Sequence, residues 1–260
     1  MKASRVAKNK KILILNLIFL TTLILVLIAG YTWRIKNKIV SPNPVNQVNV
    51  FLSPSLNPQT EITKKQETKN IPTKYLIENF PFQSQAPLAN WDELHNEACE
   101  EASLALDYYY LNHKELTSAE MDKQILALVA FQEKAGAKQQ NLPVAEALKL
   151  AQNFYKIDGQ VVADATIADM KQEISQNHPV IVPTAGRLLG NPNFRRPGPV
   201  YHMLVVIGYD QSDIIVQDVG THNGDHYRYN QKIFANAWHD WTGSDSTMEQ
   251  GEKNFLVLTN

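Results

Sequence analysis

The sequence predicts an α+β domain. Helices in the first half, one carrying the only cysteine, should pack on an antiparallel sheet in the second half that carries a histidine and an aspartate. Three observations predict this. Apolar residues recur at helical spacing between residues 97 and 177, and short apolar runs bounded by turn residues follow from 179 to 259. An uncharged segment near the N-terminus stands apart from both.

That segment, Ile12 to Gly30, is long enough as a helix to cross the hydrocarbon core of a bilayer. Lys2, Arg5, Lys8, Lys10 and Lys11 precede it, Arg34, Lys36 and Lys38 follow, and Tyr31 and Trp33 suit the membrane interface. The greater positive charge before the span puts the N-terminus in the cytoplasm and the domain outside. The long apolar region and the lack of an A-x-A site favour an uncleaved anchor over a cleavable signal. The predicted organisation is a basic cytoplasmic tail over 1–11, a transmembrane anchor over 12–33, a flexible stalk over 34–73 and a globular domain over 74–260. Pro, Asn, Gln, Thr and Ser dominate the stalk, a composition that buries no core. The first 38 residues hold eight of the 25 basic residues and no acid, so the remainder sets 17 basic residues against 26 acidic ones. An acidic domain without a basic stripe excludes nucleic acid as the expected partner.

The elements of the domain follow in order. FPFQSQAP (80–87) alternates like a strand. An amphipathic helix is expected over about 97–112, with Asn96 as N-cap and Ala98, Ala102, Ala105, Leu106 and Tyr109 on its apolar face. Thr117 and Glu120 form a capping-box pattern before a helix over 118–134, and Pro143 opens one over 143–153. A fourth, over 167–177 after Thr166, is stopped by His178-Pro179. Strands are expected at 179–184, 201–210, 214–218, 227–230 and 254–259, with a helix over 231–240 among them.

A lone thiol outside the cytoplasm forms no internal disulfide, so Cys99 either is used or is a small buried residue. Its place in a first helical turn suits a reactive thiolate. Of the seven histidines, His202 alone opens a strong apolar strand, which would hold its ring rigidly. Asp218 ends the next strand. A two-residue turn between Asp210 and Asp213 would point Asp218 away from His202, whereas one bulge or an odd loop would bring both to one face, and that is expected. Gln85, upstream of Cys99, is a candidate oxyanion donor, with Gln83 its competitor. The loop over 186–199 carries Arg187, Arg195 and Arg196 and reads either as the flank of a cleft favouring acidic peptides or as a solvated connection. Asp218, His222, Asp225 and His226 would suit a metal only on a helix, which Gly220, Asn223 and Gly224 oppose, so no metal or cofactor is expected.

FPFQSQ, NEACEEASLAL, YHMLVVIGYD and IIVQD together resemble the bacterial papain-like cysteine peptidases related to bacteriocin double-glycine leader peptidases, in their stand-alone C39-like branch. The resemblance covers about residues 75–259 and implies a papain-like fold. It implies Cys99 as nucleophile, His202 as base, Asp218 as orienting acid and Gln85 as oxyanion donor, acting on a peptide or protein substrate. The chain departs from many relatives in having Ala98 before the cysteine, Glu100-Glu101 after it, and Val219 after Asp218. Two acids next to a thiol oppose its ionisation. The expected function is that of a membrane-anchored extracytoplasmic thiol peptidase working through an acyl-enzyme. The alternatives are an inactive papain-like binding domain on a stalk and a cell-wall peptide amidase or transpeptidase.

Overall fold

A computed structural model describes residues 71–136 and 139–260. The predicted tail, anchor and most of the stalk lie outside the described residues, among which no helix is long and apolar enough to cross a membrane. The elements are β1 (Tyr75–Leu76), α1 (Glu93–Asn96), α2 (Cys99–Leu111), α3 (Ser118–Lys134), α4 (Val144–Tyr155), β2 (Asp158–Val162), α5 (Ile167–Ile174), β3 (Val180–Thr184), α6 (Gly186–Leu189), β4 (His202–Tyr209), β5 (Asp213–Gln217), β6 (Tyr227–Asn230), α7 (Gln231–Ala237), a 3-10 turn (Asp245–Gln250) and β7 (Phe255–Thr259). Helices thus lead and the sheet follows, in the order β2-β7-β3-β4-β5-β6, with every described pairing antiparallel.

β4 is the centre of this sheet. All eight of its residues are buried, as an apolar run without alternation requires of a strand covered on both faces. β3 pairs with residues 202–206 of β4, and β1 takes up positions 208 and 209 beyond it. FPFQSQAP is therefore not a strand. Pro81 has no N–H to give a ladder, and the segment runs extended to where Gln85 N donates to Val219 O at 2.8 Å. β2, unforeseen, opens with Asp-Gly, which reads as a turn. There Gly159 lies so near β7 that a Cβ would sit 2.6 Å from Val257 O.

The cysteine helix departs most from expectation. α2 is not amphipathic: every residue from Cys99 to Asp107 is buried, because the sheet, α3, α4 and the chain near Leu142 surround it. Glu100, Glu101 and Asp107 are thereby taken into the core. Its N-cap is Ala98, with no side-chain cap, since Asn96 belongs to the short α1 and donates back to Trp91 O and Asp92 O. Elsewhere local signals hold. Thr117 accepts from Glu120 N, and Thr166 and Asp169 complete a reciprocal capping box at α5. In the former the Glu120 carboxylate turns instead to Tyr109, Gln124 and Lys123.

Candidate active site

The β4–β5 hairpin closes through Asp210 N and Asp213 O at 3.0 Å, and a bulge between Val206 and Gly208 shifts the register by one residue. Val205 then faces Gln217, so Asp218 falls diagonally beside His202 on the same face. His202 Nε2 meets Asp218 Oδ1 at 2.8 Å, which leaves Nδ1 as the ring nitrogen free to accept a proton.

Asp218 is fully buried and takes three further donors. Gly220 N reaches Oδ1 at 3.0 Å, while Asn191 Nδ2 and Tyr229 Oη reach Oδ2 at 3.0 and 2.5 Å. Burial opposes its charge, yet the His202 charge and the hydrogen bonds from His202, Tyr229 and Gly220 outweigh it and hold the carboxyl below its ordinary range. Asn191 and Tyr229 gave no signal in the sequence, since each needs the fold to reach Asp218. The imidazole is also closely packed. Phe194 meets it edge-on, ring centroids 5.3 Å apart, and Gly220 lies against Cε1.

Cys99 is the first residue of α2 and 6% exposed. It lines, with His202 and Gln85, one cleft of about 1000 Å³ that Trp91, Phe194 and His222 also border. Its Sγ donates to Glu100 Oε2 at 3.0 Å and accepts from Met203 N at 3.4 Å; among the described residues no hydrogen bond joins it to His202. Glu100 Oε1 accepts from Leu142 N at 2.8 Å, and Tyr201 Oη donates to Leu142 O at 2.6 Å. One residue, Leu142, thus ties the neighbour of Cys99 to the neighbour of His202.

Gln85 is buried at the cleft wall, where Nε2 donates to His95 O at 2.8 Å and Asn96 O at 3.0 Å, the last carbonyls of α1. Gln83 is elsewhere engaged, with Leu116 O and Ser118. Of the four residues weighed as metal ligands, Asp218 serves His202, His222 meets Ser84 Oγ at 3.1 Å, and His226 pairs with Asp225.

The model of the family described as "Peptidase_C39 like family" matches residues 77–246, more than half of the chain. The chain belongs to this family. It is a cysteine peptidase. No curated relative matches it. Solved structures similar to this C39-like peptidase include a candidate C39-like peptidase from Bacillus anthracis, at 16% identity over 72% of this chain and 98% of that one, with a TM-score of 0.49. Xylellain, a cysteine protease from Xylella fastidiosa, matches at 14% identity over 73% and 87%, TM-score 0.34. The Carica candamarcensis cysteine protease CMS1MS2, in complex with E-64, matches at 12% identity over 73% and 99%, TM-score 0.35.

In this C39-like peptidase the electrostatics of the thiol are set first by its burial and then by its helix neighbour Glu100. Burial, then the Glu100 charge and hydrogen bond, push the Cys99 thiol well up, against a smaller pull from Met203 N–H. Burial, and for Glu100 the nearby Glu101, also raise the two carboxyls, to about 8 and about 7. By the pH at which the thiol ionises, Glu100 is already charged and opposes it. Glu100→Gln removes that charge and keeps an oxygen for Leu142 N–H. We expect the alkaline limb of the Cys99 alkylation profile to move down by about one unit, a roughly tenfold faster reaction above the Glu100 pKa of about 8 and little change at neutral pH, where Glu100 is still mostly protonated. An unmoved profile would show that the carboxylate does not govern the thiol.

Proposed function

We propose that this peptidase acts through a Cys99–His202–Asp218 triad, on a membrane anchor and outside the cytoplasm. The observation that carries the triad is the buried His202–Asp218 hydrogen bond opening into the cleft that Cys99 lines. Asp218 fixes the ring with Nε2–H toward itself, so Nδ1 takes the Cys99 proton. The thiolate adds to the peptide carbonyl, and the oxyanion is met by the Cys99 backbone N–H at the start of α2. Gln85 Nε2 supplies a second donor by turning one N–H from an α1 carbonyl to the substrate. The imidazolium protonates the leaving amine, an acyl-enzyme remains, and His202 then deprotonates the water that releases the acid. The anchor is supported by the uncharged span Ile12 to Gly30 and the excess of basic residues before it.

Cys99 is the only cysteine, so any thiol label reports it. A membrane-impermeant peptide electrophile added to intact cells should label the chain in the membrane fraction, and His202→Ala should slow labelling at least tenfold. Equal labelling of the two proteins would sink the proposed base. Labelling only after lysis would sink the proposed compartment.

A further inference from the structure

The described residues include four arginines, and two of them have structural work. Arg228 pairs with Asp210 and Asp213, and Arg187 Nε donates to Gly198 O at 3.2 Å. Arg195 and Arg196 make no ion pair, although they sit in a domain where acids outnumber bases, and both line the cleft that holds Cys99 and His202. The segment presenting them is firmly tied down. Asn191 is buried on Asp218 and Tyr229, Asn193 N and Nδ2 both donate to Asn191 Oδ1, and Asn223 Nδ2 donates to Asn193 Oδ1. Phe194 packs on the His202 ring, and Gly198 N closes a turn onto Arg195 O at 2.8 Å. The backbone that carries the two exposed arginines is therefore anchored at the rim of the cleft, and no counter-ion among the described residues pairs with them. The acids lining the cleft are Glu97 and Asp245, neither within ion-pair distance of these arginines, and Glu97 also borders a smaller depression with Gln140 and Trp241.

We infer that the preferred substrates are peptides with an acidic side chain near the scissile bond, received by Arg195 and Arg196. This rests on the peptidase site proposed above and names its substrate class. A guanidinium offers a fork of N–H donors to a carboxylate, and two of them on an anchored backbone keep that positive charge at the cleft. Selection by rim charges also weakens as salt screens it.

The test uses the full chain in detergent and fluorogenic peptides in which a single Glu or Gln is stepped through the positions flanking the cleaved bond. At one position Glu should raise kcat/KM about tenfold over Gln at low salt, and the gain should shrink at high salt. The double variant Arg195→Gln/Arg196→Gln should erase the difference. Arg195→Glu/Arg196→Glu should reverse it, favouring Lys. Cleavage with no Glu preference, or a preference that survives the double neutralisation, overturns the inference. If no peptide is cleaved, the peptidase site fails as proposed, and the Cys99→Ala chain gives a separate reading by fluorescence anisotropy. Tighter binding of the Glu peptide, lost in the double neutralisation, upholds the acidic preference of the cleft; equal binding overturns it.

Discussion

Gly220→Ala is expected to lower kcat/KM for peptide substrates about 100-fold while leaving the fold in place. The backbone at this position permits alanine, because Gly220 has no positive φ. What forbids it is space. A Cβ there would stand 2.9 Å from His202 Cε1, 3.0 Å from Phe194 Cε1 and 3.2 Å from His202 Nε2. A methyl there would press on both rings where they meet, so the imidazole must shift by some tenths of an ångström, carrying Nδ1 from its place in the cleft. Misplacing a proton-transferring group by such amounts costs rate far more than stability. Steady-state kinetics with a melting curve would check this. Activity near that of the wild type would show that the ring has room to adjust, and a collapsed melting temperature would assign the effect to folding.

Asp107→Asn should stabilise the domain at neutral pH and do little in acid. Asp107 is fully buried on α2, both carboxylate oxygens lack a hydrogen-bond partner, and burial raises its pKa well above the usual range. The sign follows from linkage. Below the unfolded carboxyl pKa, about 4, Asp107 is protonated in both states and ionisation costs nothing. As pH rises the unfolded chain releases that proton while the folded chain retains it, so stability falls by up to about 1.4 kcal/mol per pH unit until the folded pKa is passed. Asn has the shape without the titration. Its advantage should therefore be near zero at pH 4 and grow toward neutrality, each kcal/mol raising the melting temperature by about 2–4 °C. Glu100 and Glu101 titrate with the same sign, so the difference between the two proteins is the measure. A difference that stays flat from pH 4 to 7 would refute burial as the cause.

Much of the site was legible locally. Cys99 at a helix start, His202 at the head of an apolar strand and Asp218 at the end of the next are all matters of pattern. Even the hairpin's geometry could be set as a condition, because side chains alternate faces in a strand and a two-residue turn alone would have pointed Asp218 the wrong way. The bulge at Val206–Gly208 meets that condition. The missed features are those in which distant segments meet. Nothing near Asn191, Tyr229 or Leu142 in the sequence shows that the first two hold Asp218 or that the third joins Glu100 to Tyr201. FPFQS alternated like a strand, but the place along β4 was filled by β3 and Tyr75–Leu76.

By itself, then, the sequence determined the order of helices before sheet, the candidate nucleophile, base and acid, and the acidic character of the domain, since all of these reside in residue type and near-neighbour spacing. Tertiary structure alone decided that the first nine residues of α2, Cys99 to Asp107, are buried on every side. Helical periodicity reports where apolar residues lie on a helix, not how many neighbours surround it. In the sequence, Glu100 and Glu101 are simply two acids next to a thiol; the sheet and helices that close over them and Asp107 bury thiol and acids together, and that burial, with the Glu100 charge beside it, is what pushes the thiol up.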